Sequence, residues 1–239
     1  EMVETADQSL PILAPMSEAA GRISVLVGAN YLRKDLGGQG ILLSGLQGKN
    51  RGRVTILGIG HAGQAALEMA HGLGADVMAI DLNQKKLKAI QEKYSERLVT
   101  APPDSEVIAA AVRESDLVIG AVLVPGKRPP LLVSRKVVGT MKPGSVIIDI
   151  AVDQGGCIET IRPTTHDAPA YVEEGVIHYA VTNMPALVPR SATQALTAAS
   201  LPYLKKIARL GFEKAIHEDA DLKKGIAIQN GTLKIENLF

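Results

Sequence analysis

Three glycines and an aspartate carry the first chemistry legible in this chain. Gly58, Gly60 and Gly63 lie in the turn Gly58-Ile59-Gly60-His61-Ala62-Gly63, and Asp81 follows about 20 residues later. In such a turn Gly58 permits a tight bend, Gly60 lets the backbone approach a pyrophosphate, and Gly63 lets a helix pack close to a strand. The helix that follows would offer unpaired N–H groups and the positive end of its dipole to phosphates. Asp81 would accept hydrogen bonds from adenosine ribose hydroxyls and repel a 2′-phosphate, which favours NAD over NADP. Lys85 and Lys86 weaken that preference slightly. The spacing alone is common, so its flanks matter. Val54–Leu57 is a β-branched run, Ala62–Leu73 has small and apolar residues at helical spacing ended by Gly72 and Gly74, and Asp76–Ile80 is a second apolar strand. Two other readings fit the same residues: a turn that only packs, and a methyltransferase, whose glycine turn is usually spaced differently.

A second group of residues gathers further along. In an open α/β sheet, chemistry collects beyond the carboxyl ends of the strands, at the switch in strand order. Three segments should project there: Gly120–Gly126, Asp149–Gly156 and Thr182–Pro185. Asp149 lies within an apolar strand. Asp153 lies just past its end, before two glycines that let the backbone come close to a ligand. Position alone leaves Asp153 two roles. It caps the following turn, or it orients a water, an amine or a catalytic partner.

The elements that must position these groups alternate along the chain. A helix spans Ser17 to Tyr31 or Arg33, with Ser17 as its N-cap, Glu18 in its first turn and an apolar stripe through Ala19, Ala20, Ile23, Val27 and Tyr31. Gly37–Gly40 interrupts it, and Gly45–Gly52 leads into the first strand. After Asp81 come a helix Asn83–Tyr94 capped by Asn83, a strand Arg97–Thr100, a helix Asp104–Arg113 and a strand Asp116–Ala121. A loop Pro125–Pro130, a short helix Ser134–Thr140, a strand Val146–Ala151 and a sixth strand Val176–Val181 follow. The alternation predicts an α/β fold with a doubly wound parallel (Rossmann) sheet. Long helices would flank it, belonging to a second, incomplete domain. Thr193–Leu210 reads as one such helix, kinked or broken at Pro202. The expected domains are a linking helix over 1–36, a dinucleotide-binding domain over 37–185 and a helical segment over 186–239. The chain opens Glu1-Met2, and Glu236–Phe239 reads as the start of a further element.

Composition narrows the class. Of 239 residues, 46% are hydrophobic and 21% charged, enough apolar material for a substantial core. A net charge of +1 gives no polyanion signature, so no nucleic-acid partner is expected. Cys157 is the single cysteine, which rules out an internal disulfide and points to a reducing cytoplasm. No CxxC or paired-histidine spacing suggests a metal, no apolar run is long enough to span a membrane, and no signal peptide is visible.

Four motifs make the reading more specific: Pro15-Met16-Ser17-Glu18-Ala19-Ala20-Gly21-Arg22, Asp153-Gln154-Gly155-Gly156-Cys157-Ile158-Glu159-Thr160, Arg162-Pro163-Thr164-Thr165-His166, and Asn183-Met184-Pro185-Ala186-Leu187-Val188-Pro189-Arg190. Together they resemble the bacterial alanine dehydrogenase family, related to the NAD-binding subunit of proton-translocating transhydrogenase, over about Leu10 to Gly231. Met16-Ser17-Glu18 and Asn183-Met184-Pro185 favour the dehydrogenase branch. The resemblance implies NAD-dependent oxidation of L-alanine to pyruvate and ammonia, and its reverse. It implies that Ser17 contacts the cofactor, that His61 and Ala62 lie against the pyrophosphate, and that Asp81 binds ribose with Lys86 beside the adenosine. Val122 and Leu123 would line the nicotinamide side. Ile150, Ala151, Val152 and Asp153, with Arg162, Val181, Asn183 and Met184, would complete the pocket, and Asp153 matches a catalytic aspartate. The family also has a region before Met16-Ser17-Glu18 that supplies a substrate-holding arginine and lysine and a catalytic histidine. Nothing here matches it, and His166, His178 and His217 lie downstream, so the chain reads as a cofactor-binding half. A homo-oligomer built through the long helices is expected. The alternative is a non-catalytic NAD(H)-binding module or a transhydrogenase-like subunit, and a dehydrogenase of another amino or keto acid is a third possibility.

Overall fold

The computed structural model describes residues 2–94, 96–124 and 128–234. The expected loop over Pro125–Pro130 therefore lies partly outside the described residues, and the element expected at Glu236–Phe239 wholly so. The chain divides into two compact units, one of residues 20–184 and one of residues 1–19 with 185–239.

The larger unit is built on a seven-stranded sheet. Its strands are β1 (Arg53–Leu57), β2 (Asp76–Ile80), β3 (Leu98–Ala101), β4 (Leu117–Gly120), β5 (Val146–Asp149), β6 (Ala170–Glu173) and β7 (Val176–Tyr179), in the order β3-β2-β1-β4-β5-β7-β6. All neighbours pair in parallel except β6 and β7. β4 and β5 are buried at every position, which is why they read as unbroken apolar runs rather than alternating ones.

Helices cover both faces. α1 (Ala14–Tyr31), α2 (His61–Gly72) and α3 (Gln84–Tyr94) contribute Ile23, Leu67 and Leu87 to one core, together with Ile56, Ile119 and Ile148 of the sheet. α4 (Ser105–Glu114) and α5 (Arg135–Val138) contribute Ile108, Val112 and Val138 to the other, together with Leu57, Val118 and Ile147. Successive residues of one strand thus serve opposite faces. The caps are local. The Asp104 side chain accepts from the N–H groups of Glu106 and Val107, and Asn83 Oδ1 accepts from Lys86 N at 3.1 Å.

Three expectations need correction. α1 begins at Ala14, so Ser17 is not its N-cap. The turn before the helix supplies acceptors, with Ala14 N–H on Leu10 O and Ser17 N–H on Leu13 O, and Pro15 loses nothing in a first turn whose N–H groups lack partners. Second, β6 was not expected. It is a short, half-exposed edge strand joined to β7 by Glu174-Gly175, both at positive φ (54° and 76°), as a two-residue hairpin turn requires. Third, in the smaller unit the expected helix ends at Leu210 but starts at Pro189 rather than Thr193, and this helix, α6, continues through Pro202 instead of breaking there. Proline removes one hydrogen bond there, while Tyr203, Ile207 and Leu210 beyond it pack against Val3, Ala215, Ile216 and Leu222. α7 (Phe212–Glu218), α8 (Ala220–Lys224) and a hairpin of β8 (Ile228–Gln229) and β9 (Thr232–Leu233) complete this unit. Asp219 caps α8 and bonds Lys206, whose ammonium holds the carboxyl below its usual range.

Candidate functional site

The order of strands reverses at β1 and β4: from β1 the chain steps outward to β2 and β3, and from β4 the other way to β5. The carboxyl ends of these strands frame the crevice where open α/β sheets bind ligands. The turn from Gly58 to Gly63 leaves β1 there. Gly58 has φ 89°, and a Cβ on it would stand 2.7 Å from Ala121 O. A Cβ on Gly63 would stand 1.8 Å from Gly58 O, so only glycine lets α2 begin this close to the strand. Gly60 differs, because a Cβ there would meet nothing within 4 Å. The space in front of it is open, at the N-cap of α2, where no side chain caps the helix. The first intrahelical acceptor is Gly60 O, bonded by Gln64 N at 2.9 Å, so the preceding N–H groups are available to an anion. His61 is exposed on the first residue of α2.

Asp81 ends β2 beside this turn. Its Oδ2 accepts from Ile59 N at 2.6 Å and its Oδ1 from Asn83 N at 2.7 Å, and it remains partly exposed. A carboxylate oxygen has two acceptor positions, so each keeps one for a hydroxyl partner. Lys86 is exposed on α3.

The other half of the crevice is built differently. Gly120 ends β4 and leads to Val122, half-buried, and Leu123, 42% exposed. Asp149 ends β5 in register with Gly120 and is fully buried. A single turn of 3-10 helix, Val152–Gln154, follows; Ala151 and Val152 are buried and Asp153 is exposed on it. Burial pushes the Asp149 carboxyl up to about 6, with the charge of Asp153 adding to the rise. It also pushes the Cys157 thiol well above its usual range. Past β7, Val181 and Met184 are buried in the core, and exposed Asn183 takes a left-handed conformation at φ 56°, which asparagine tolerates.

Arg162 lies with its guanidinium 3.8 Å from the centroid of the Tyr171 ring, which in turn stacks on His178 at 5.0 Å. Tyr171 OH donates to Thr160 O at 2.8 Å. His178 is buried, and burial lowers its pKa. Its Nδ1 meets the Val176 carbonyl at 2.9 Å, which can only accept, so Nδ1 carries the proton and Nε2 accepts from the Thr160 hydroxyl at 2.7 Å. This histidine is a satisfied core residue. Sequence reasoning missed the whole arrangement, because Tyr171 sits on the unexpected strand β6.

Ser17 belongs to the smaller unit and lies in the first turns of α1. A cavity of about 540 Å³ opens at the opposite end of the sheet, between the amino ends of β1 and β2 and the side of α4. Val54, Val77, Met78 and Val99 line it, with Arg53 and Arg97. Among the described residues no helix is long and apolar enough to cross a membrane, and no cluster of three or more His, Cys, Asp or Glu could hold a metal ion.

Residues 24–236 match the family described as alanine dehydrogenase/PNT, C-terminal domain. The chain belongs to this family. It is 47% identical over 233 residues to an alanine dehydrogenase of Halomonas elongata, which covers 98% of the chain and 63% of the relative. A solved L-alanine dehydrogenase superposes with a TM-score of 0.93 at 48% identity, over 98% of this chain and 64% of that one. A transhydrogenase from Sinorhizobium meliloti superposes at 0.69 with 25% identity, over 86% of this chain and 57% of that one. The chain thus spans a little under two thirds of the dehydrogenases it matches. Membership of the alanine dehydrogenase/PNT family accounts for the mostly parallel sheet with helices on both faces.

Proposed function

We propose that this chain is the NAD-binding part of an alanine dehydrogenase. One observation carries the reading: a glycine turn with open space before Gly60 and an aspartate at the end of β2 bonded to that turn, in a chain 47% identical to a dehydrogenase of that name. Gly58, Gly60 and Gly63, with the backbone of His61 and Ala62, would hold the pyrophosphate. Asp81 would hold the adenosine ribose, with Lys86 beside it and Ser17 as a further contact. Val122, Leu123, Ile150, Ala151, Val152, Arg162, Val181, Asn183 and Met184 would complete the nicotinamide side.

The reaction is L-alanine + NAD⁺ + water to pyruvate + ammonium + NADH + H⁺. NAD, when bound, supplies the acceptor for the hydride that leaves the alanine Cα. Iminopyruvate remains, and Asp153, exposed on its turn, would take a proton from the water that adds to the imine carbon. Collapse of the resulting carbinolamine releases ammonia and leaves pyruvate. Substrate-holding groups are expected from the part of the relatives that this chain does not match. A cytoplasmic homo-oligomer fits the same reading. The likeness to a transhydrogenase at 25% identity keeps a second reading, an NAD(H)-binding subunit without the dehydrogenase reaction.

The test is an NADH titration followed by nicotinamide fluorescence, then addition of pyruvate and ammonium to the same sample. The chain has no tryptophan to interfere. Saturable enhancement supports the cofactor assignment, and consumption of NADH would add catalysis by this chain alone. No enhancement would overturn the assignment.

A further inference from the structure

Asp149 is a buried carboxylate that the proposed reaction does not use. Its Oδ1 accepts from Ala151 N at 3.0 Å and its Oδ2 from Cys157 N at 2.8 Å. The Cys157 thiol also interacts with this carboxylate. These donors stand at the two ends of one loop, and between them lies the 3-10 turn that carries Asp153. The loop is also closed internally, with Gln154 N and Gly156 N on Ala151 O and Gly155 N on Val152 O. Beyond Cys157 the chain is tied down again, because Leu132 N donates to Cys157 O at 2.8 Å and Glu159 N to Val133 O at 2.9 Å.

Two glycines make room for this carboxylate. A Cβ on Gly120 would stand 2.9 Å from Asp149 Cγ and 3.0 Å from Cys157 Sγ. A Cβ on Gly156, which has φ 65°, would stand 2.7 Å from Asp149 Oδ2. A buried charge is costly unless hydrogen bonds satisfy it. Here the donors all come from the loop, so the charge and the loop's shape depend on each other.

We infer that Asp149 is a positioning residue: its carboxylate clamps both ends of the 151–157 loop and so sets the Asp153 turn on the nicotinamide side of the crevice. The inference rests on the dinucleotide reading above. In that reading β1–β3 hold the adenosine half and β4, β5 and β7 the other half. Asp149 therefore acts on one end of the cofactor only.

The experiment measures the affinity of the full chain for NADH and for ADP-ribose, which lacks the nicotinamide, in wild type and Asp149→Asn. The amide turns one acceptor into a donor that faces an N–H, so one end of the loop is released. NADH binding should weaken about tenfold or more while ADP-ribose stays within about twofold. Equal affinities in variant and wild type would overturn the role, and equal losses for both ligands would replace it with a general structural one. Wild type that binds neither ligand would overturn the dinucleotide reading first, and the positioning role with it.

If the variant does not fold, wild type decides through pH. Protonation puts an O–H where an acceptor was, and the carboxyl titrates at about 6. The ionisable groups it faces are Asp153 and Cys157 on the loop and Tyr171 on β6. The preference for NADH over ADP-ribose should fall several-fold between pH 7.5 and pH 5.5, and a flat ratio overturns the role.

Discussion

Two aspartates end two strands of one sheet and make the same pair of bonds. Asp81 uses one oxygen for the N–H two residues on, Asn83, and the other for Ile59 of the glycine turn. Asp149 likewise uses one oxygen for Ala151, two residues on, and the other for Cys157 across its loop. The difference is burial. Asp81 is partly exposed at the crevice and keeps acceptor positions for a ligand, whereas Asp149 is sealed and spends its charge on the chain. One local motif, an aspartate that turns the backbone at a strand end, thus serves binding in one half of the sheet and architecture in the other. Water decides between the two uses, because an exposed carboxylate is cheap to ionise and a buried one is not.

The largest expected effect tests that burial directly. Asp149 titrates at about 6 in the folded chain against an ordinary 3.8. A raised carboxyl pKa means that the folded state binds the proton more tightly. Its contribution to stability is fully present below about pH 3.8 and is lost as pH rises through 6. The full swing is about 3 kcal/mol. Urea unfolding of wild type and Asp149→Asn across pH 4–7 should show wild type gaining on the variant as pH falls; a pH-independent difference would break the comparison. Asp81→Ala comes next. Removing a charged acceptor of ribose hydroxyls should weaken NADH about 100-fold, from charge-assisted hydrogen bonds of about 1.5–3 kcal/mol, and should lower the urea midpoint as well, because the N–H groups of Ile59 and Asn83 lose their acceptor. Undiminished NADH binding would mean that Asp81 serves only the turn, as Asp149 serves its loop.

Much of this was legible in the sequence, and the boundary is physical. The glycine turn, Asp81 and the strand Asp76–Ile80 lie within about 30 residues, so local spacing carries the site. Asn83 is legible as a cap for the same reason. The clamp at Asp149 was not. It needs the register of β4 against β5, which brings Gly120 beside it, and a loop closure that brings Cys157 back. The edge strand β6 escaped because Glu174, not asparagine or aspartate, takes the first left-handed position of its turn. Ser17 has the residue type of a cap, but acceptors on Leu10 and Leu13 start the helix a turn earlier.

A pair of glycines sharpens the comparison at smaller magnitude. Gly120→Ala would press a methyl against Asp149 and Cys157 in a buried strand and should cost about 1–3 kcal/mol in urea unfolding. Gly60→Ala meets no atom within 4 Å and has φ −74°, so its stability should change by less than about 1 kcal/mol. Its methyl would instead stand where the backbone is expected to meet the pyrophosphate, so NADH affinity should fall about tenfold. Effects reversed between the two variants would mean that the open space before Gly60 is not ligand space.

The smallest effect separates side chain from backbone beside Asp81. Asn83 has two tasks: its Oδ1 caps α3 through Lys86 N, and its own N–H holds Asp81 Oδ1. Alanine keeps the N–H and loses the cap. Asn83→Ala should therefore cost about 1 kcal/mol of stability and leave NADH affinity unchanged. A loss of affinity in step with stability would mean that the cap, rather than the backbone turn, aims Asp81. The two aspartates would then differ in what orients them as well as in burial, because the N–H groups on Asp149 come from a closed loop and need no helix cap.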